Sequence, residues 1–311
     1  MFIFIVRRLF NAIPTIFGVA LITFVLFTMV GGDPALIIAG RHATPQHLSE
    51  IRHNHGWDQP LYMQFGHFLK QIVTFDYGIS DSTHRPINQM IMDGVGPSLS
   101  MMIPSFFIMT LLAVAIGLLV AYFRGKAIDK IMVVLCVFGM SVSILAYILF
   151  GQYILAYWLG LFPISGYEPG LADRWQYVML PAIIYIVVSL GYDVRYYRTA
   201  VLEETGQDYV RTARAKGLKE PHIFFKHVLK NSMVPILTNV VTEIPLLILG
   251  LFLLESFFGI PGLGSITIDA VHNSDLPVLM AMSVLTAILY ILGQLATDVL
   301  YTLVDPRVRL E

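Results

Sequence analysis

Four acidic residues, Asp193, Glu243, Glu255 and Asp298, stand in or beside stretches that otherwise carry almost no charge. A carboxylate held deep in an apolar medium costs at least about 2.5–3.5 kcal/mol on insertion scales, so each should pair, face a polar interior or sit near an end. Asp193 and Asp298 fall near one end of their stretches and Glu255 near the other; Glu243 is the deepest. With the nearby Asn239 and Thr242 it has the chemistry to line a polar path, or to pair with a polar group on another helix. Glu243 and Asp298 together could also relay a proton. Six of the nine histidines lie between positions 33 and 97. His53 and His55 point to different faces of a helix with no third ligand spaced beside them, a pattern of polar surface and not of a metal centre. The single cysteine, Cys136, excludes a disulfide framework and any multi-cysteine cluster. Ser141 and Ser143 lack a nucleophile–base spacing and read as packing hydroxyls. No G-x-x-x-x-G-K-[ST], H-E-x-x-H or G-x-S-x-G pattern occurs. The glycines from Gly259 to Gly264 are followed by no lysine and mark tight turns. No catalytic set and no metal site is expected.

The elements that must position these residues follow from composition. The chain has 311 residues, 56% hydrophobic and 13% charged, with mean hydropathy +0.71. Ordinary globular chains carry about 25% charged residues. A secreted enzyme, a disordered linker and a cytosolic dehydrogenase are poor fits, and the apolar surface points to a bilayer. Crossing a hydrocarbon core of about 30 Å takes about 20 apolar residues, and backbone amides in lipid must be satisfied within helices or closed barrels. The uncharged gaps predict an all-α polytopic membrane protein with six spans near 9–30, 98–123, 131–158, 176–194, 233–257 and 278–303. Fifteen of the 20 Lys and Arg residues fall on the side holding both termini, which the positive-inside rule makes cytoplasmic. The first apolar run is longer than a signal-peptide core and lacks an A-x-A site, so it reads as an anchor.

Three segments lie between the spans. Residues 33–97 face outward: Thr44 and Pro45 open a short polar helix ending near His55, and Pro60 opens a second, with Leu61, Phe65, Phe68, Leu69 and Ile72 on one face to pack against the outer ends of the spans. Residues 195–231 form a basic cytoplasmic loop. Within it Asp208 can cap a short helix, Tyr209 to Lys216, that Gly217 ends in the left-handed conformation. Glu220-Pro221 then begins another helix, with Phe224, Phe225, Val228 and Leu229 in a strip opposite Lys219, Lys226 and Lys230. The division is therefore 1–32, the outward segment 33–97, and a five-helix core 98–311. The net charge of −1 and the scattered basic residues give no nucleic-acid-binding face.

The stretch DYVRTARAKGL…FFKHVLKNSMVPI resembles the EAA loop of permease subunits of ATP-binding-cassette (ABC) importers of the oligopeptide, dipeptide and nickel subfamily. RRLFNAIPT, WDQPLYMQF…FDYGIS, LLESFFGIPGLG and LVDPRVR resemble the same subfamily in the same order, so the likeness covers essentially the whole chain. Ala213, Gly217 and Leu229 match the general EAA pattern; Arg211, Thr212, His227 and Lys230 depart from it. The resemblance implies a type I importer permease in the cell inner membrane, itself no enzyme. It implies that Asp208, Tyr209, Val210, Arg211, Thr212, Ala213, Arg214, Ala215, Lys216 and Gly217 form a coupling helix seated on an ATPase. The implied partners are two ABC ATPase subunits that bind ATP and Mg, a second related permease, and an external solute-binding protein. This chain would bind no cofactor of its own. Short peptides are the favoured cargo, with nickel complexes or other small solutes next, and a proton-coupled carrier as the rival mechanism.

Overall fold

A computed structural model describes residues 2–30, 34–39, 44–249 and 251–304, and these are helical with no strand among them. Helix α1 (Phe2–Val25) runs on through a wider π turn, Leu26–Val30. After α2 (Pro34–Ala39), α3 (Pro45–Asn54) and α4 (Leu61–Thr74) come the long α5 (Ile87–Tyr122), α6 (Ala127–Ser141) and α7 (Ile144–Gly151). The second half comprises α8 (Leu171–Thr205), α9 (Asp208–Ala215), α10 (Glu220–Ile223), α11 (Leu229–Leu249), α12 (Phe252–Phe258), α13 (Leu263–His272) and α14 (Leu276–Val304). At 1.5 Å per residue, α5 is about 54 Å long and α8 about 52 Å, so both outrun an apolar slab of about 30 Å.

Among the described residues four stretches are long and apolar enough to cross a membrane: Phe10–Met29, Ile87–Tyr122, Asp173–Thr205 and Leu276–Asp298. A fifth arises if the bent pair α6 and α7 is counted as one. The third expected span, 131–158, is therefore not one straight rod: the chain turns by 93° between α6 and the helix that follows. Val142 is extended and Ser143 accepts the Leu145 N–H at 3.3 Å, capping a new helix where a packing hydroxyl was expected. The fourth span, expected at 176–194, continues without a break to Thr205, because the charges from Arg195 onward sit on helix instead of loop, Arg195 and Glu203 exposed and Arg198 and Glu204 paired. The fifth, expected at 233–257, starts at Leu229 and stops at Leu249; Leu251 is extended and Glu255 belongs to the separate α12. Arg41, Arg307 and Arg309, and most of the LVDPRVR stretch, lie outside the described residues.

The largest apolar core forms where α5 and α8 run together with α6, α7, α11 and α12, around Met101, Phe106, Met109, Leu180, Tyr197, Ile236 and Phe258. A separate cluster joins α4 to the spans: Phe68 and Ile72 pack with Ala20 and Phe24 of α1 and Val284 of α14, and Phe65 and Leu69 flank them. Helix α4 thus packs on the bundle through its apolar face, as its periodicity predicts, although Leu61 remains exposed. Thr44 caps α3 through its hydroxyl, which accepts the His47 N–H at 3.3 Å.

Candidate functional site

At one end of the bundle the chain leaves α8, makes the two-turn α9 and returns through α10 into α11. Helix α9 begins at Asp208, one residue earlier than expected; Gln207 is its cap residue and lends no side-chain bond. Thr212 Oγ bonds back to the Asp208 carbonyl at 2.9 Å, and Arg211 meets the Asp208 carboxylate at 3.4 Å. The stop is as the glycine predicts: Gly217 has φ +78°, in the left-handed region, and its N–H donates to the Arg214 carbonyl at 2.9 Å.

Helical spacing divides α9 into two faces. Val210 and Ala213 are buried in the main core with Ile223, Phe224 and Val228, and Tyr209 is half-buried. Tyr209 donates its hydroxyl to Glu204 of α8 at 2.6 Å; burial first, then this carboxylate, pushes the phenol above its ordinary pKa. Asp208, Arg211, Thr212, Arg214, Ala215, Lys216 and Gly217 are exposed. Arg214 is already held by Glu220, with guanidinium–carboxylate bonds of 2.7 and 3.2 Å, and its charge keeps the Glu220 carboxyl below the usual range. Among the described residues, the outer-face cations with no partner beyond α9 are thus Arg211 and Lys216. The apolar strip beyond α9 is split as well: Phe224 and Val228 are buried, whereas Phe225 is exposed. A wider π turn, Phe224–Val228, sets them in different directions.

The second group lies between α8 and α11. Asn239 donates from Nδ2 to Glu243 Oε1 at 2.9 Å and lies 3.4 Å from both Asp193 Oδ1 and Tyr197 Oη. Asp193 is buried, so it is a member of this polar cluster and not an incidental end-of-span acid. Thr242 does not join it; it is exposed and its hydroxyl bonds to the Thr238 carbonyl. Asn239 thus brings Glu243 and Asp193 together, bonding the one and approaching the other. The pairing of Asp193 with α11 was missed because residues 46 apart in sequence carry no periodic signal.

Two further anchors went unread in the sequence. Asp129, at the start of α6, accepts two guanidinium bonds from Arg198 of α8 at 2.7 and 3.0 Å and the Gly125 N–H at 2.8 Å. Glu255 is fully buried at the far end of the bundle, where it accepts the Ser98 hydroxyl and the Gly264 N–H, each at 2.7 Å, and the Ser265 N–H at 3.2 Å. That ties α5, α12 and the start of α13 into one unit. Gly262 and Gly264 are required there, since a Cβ on either would lie within 3.0 Å of the Glu255 carboxylate. Of the histidines, His53 meets Asp58 and His55 meets Asp81, each at 2.9 Å.

Residues 113–310 match the family described as "Binding-protein-dependent transport system inner membrane component", and residues 1–101 match its amino-terminal counterpart. The chain is 33% identical over 306 residues to the glutathione transport system permease protein GsiC of Escherichia coli (strain K12), covering 98% of both chains. It is 36% identical over 313 residues to a protein of Brucella abortus (strain 2308) named as a putative peptide transport system permease, again over 98% of both. In three dimensions it is similar to inward facing forms of the MetNI methionine ABC transporter. The TM-scores are 0.56 and 0.54 at 18% and 19% identity, with 70% of this chain and 97% of that chain covered in each case.

Proposed function

Because the chain belongs to the family of binding-protein-dependent transport system inner membrane components, we propose that it is the permease subunit of an ABC importer for di- or oligopeptides. Cargo arrives from an external solute-binding protein and crosses between this bundle and a second, related permease. ATP and Mg are bound and turned over on two separate ATPase subunits. Relatives named for peptide and glutathione transport support short peptides as the cargo class. The chain crosses the inner membrane six times with both termini cytoplasmic, a reading supported by the placement of fifteen of its 20 Lys and Arg residues.

The observation that carries the proposal is the two-faced α9. One seam, Val210 and Ala213, is welded into the core that also holds Tyr197 and Ile236, so a push on α9 reaches α8 and α11 without slack. Its other face, Arg211, Thr212, Ala215 and Lys216, is exposed, and the bonds of Arg211 and Thr212 stay within α9, both to Asp208. Exposed ion pairs there would contribute only about 0–1 kcal/mol each, so the fit of shape to an ATPase cleft dominates the docking. Rigid-body transmission through such an element is an established mode of switching.

The test is peptide uptake by proteoliposomes holding the complete complex, with and without ATP, for the wild type and for a variant with Arg211, Thr212, Ala215 and Lys216 all replaced by Asp. Uptake that needs ATP in the wild type and is lost in the variant, with membrane insertion intact, is the expected result. Uptake that persists with no ATPase and follows a pH gradient would overturn the reading in favour of a proton-coupled carrier.

A further inference from the structure

Where α5 ends, a groove of about 290 Å³ lies between that helix and the π turn Phe224–Val228. Ala115, Leu118, Leu119 and Tyr122 form the α5 wall. Their three- and four-residue spacing is that of one helix face, so the groove runs along the span for about 10 Å. Phe224 and Phe225 form the opposite wall. Tyr122 steers both: its ring meets Phe224 edge-on, with centroids 5.2 Å apart, and stacks on Phe225 at 6.3 Å. Apart from the Tyr122 hydroxyl, no lining side chain carries a polar atom.

The mouth of the groove is cationic. Lys126 Nζ stands 5.0 Å from the centre of the Phe123 ring, which closes that end, and Arg124 is exposed beside it. Asp129, the acid nearest in sequence, is spent on Arg198 and the Gly125 N–H. Among the described residues both cations therefore lack an ion-pair partner. Apolar along the span and cationic at its mouth, the groove has the polarity of an anionic phospholipid, with a chain to fill the one and a phosphate to meet the other. A helix of a second, related permease fits less well, because the positive-inside rule gives it its own Lys and Arg at this level. A zwitterionic lipid would bring an ammonium beside its phosphate, which the two cations repel. We propose that this groove holds one acyl chain of an anionic phospholipid, with the phosphate on Lys126 and Arg124. The inference rests on the permease reading only in assigning the lipid to the cytoplasmic leaflet.

The test labels the groove from inside. Leu119, which is 48% exposed, is replaced by the photo-crosslinker p-benzoylphenylalanine. The complete complex is placed in nanodiscs of phosphatidylethanolamine and phosphatidylglycerol with identical acyl chains, irradiated without nucleotide, and its adducts are identified by mass. Phosphatidylglycerol adducts are expected at least threefold above their ratio in the bilayer. Arg124→Gln together with Lys126→Gln should return the adducts to the bilayer ratio. Ala115→Trp, which fills the groove from an exposed position, should cut lipid adducts at least fivefold. A bilayer ratio in the parent protein overturns the proposal, because the groove would then hold only ordinary boundary lipid. Adducts chiefly to the second permease or to an ATPase, or lipid adducts undiminished by Ala115→Trp, also overturn it. The crosslink is read without ATP, so its failure leaves ATP-driven uptake untouched, and uptake without an ATPase would leave the crosslink standing.

Discussion

At the scale of single residues, the acids separate by what each one accepts. Glu243, half-buried, takes its bond from the half-buried Asn239, the amide that also reaches towards Asp193 and Tyr197, so removing the Glu243 carboxyl takes away the shortest of those bonds at a cost of about 1 kcal/mol. Glu243→Leu is therefore expected to lower the thermal midpoint, whereas Glu243→Gln keeps an acceptor and should hold the midpoint while changing uptake or ATPase stimulation. Wild-type behaviour of Glu243→Leu in both assays would exclude the cluster from the path. Asp275 shows a different device. It is buried, which alone would raise its pKa, but the Ser80 and Ser82 hydroxyls at 2.6 Å, with the Ser82 and Val278 N–H groups, outweigh burial and hold the carboxyl below its ordinary 3.8. A lowered native pKa contributes stability that is complete above the unfolded value and lost as pH falls through the native one. Protection against amide exchange in residues 78–86, taken relative to the intrinsic rate at each pH, should therefore fall as pH drops below about 3.8 in the wild type. In Asp275→Asn that protection should already be weak at neutral pH and should fall no further in acid.

At the scale of elements, the stop at the end of α9 is a backbone matter. Gly217 sits at φ +78°, which proline cannot adopt, and proline would also remove the N–H that closes onto the Arg214 carbonyl. Gly217→Ala should cost about 1–2 kcal/mol of local strain and reduce ATP-driven uptake partly. Gly217→Pro should abolish uptake with the protein still inserted, as judged by membrane fractionation; full uptake by the proline variant would show that the element does not couple. The turn was legible because a glycine after a short amphipathic run has few other uses. The bend of 93° after α6 was not, because a long uncharged run has the same composition whether it forms one rod or two. Ser143 carried the signal, as a residue able to cap a helix start, but a hydroxyl in an apolar stretch serves packing equally well.

At the scale of the whole molecule, the chain shares its fold with a methionine ABC transporter at 18% identity, so the architecture tolerates wide changes in the residues that fill it. If both termini are cytoplasmic, single cysteines at Phe2 and at the exposed Lys70, in a Cys136→Ala background, should react oppositely with a membrane-impermeant maleimide. In spheroplasts Lys70→Cys should label and Phe2→Cys should not, and labelling of both would refute the six-span topology. That the chain holds several long apolar helices, and roughly where four of them lie, was legible from the charge gaps, because burying an unpaired charge in lipid is costly enough to show in the sequence. The packing of α4 on α1 and α14 was legible for a related reason: an apolar helical face must be covered by something.

What the sequence determined by itself was thus a membrane-embedded helical chain, the short helix before Gly217 and a family likeness spread over the whole length. Only the tertiary structure decided that Asp193 joins Asn239 and Glu243, that Asp129 grips Arg198, that Glu255 clasps the start of α13, and that Arg214 is spent on Glu220. Periodicity and charge gaps are local properties, set by a few turns of chain against lipid or water. The partner of a buried polar group is chosen by which helices pack together, and that information is spread over residues as many as 195 positions apart.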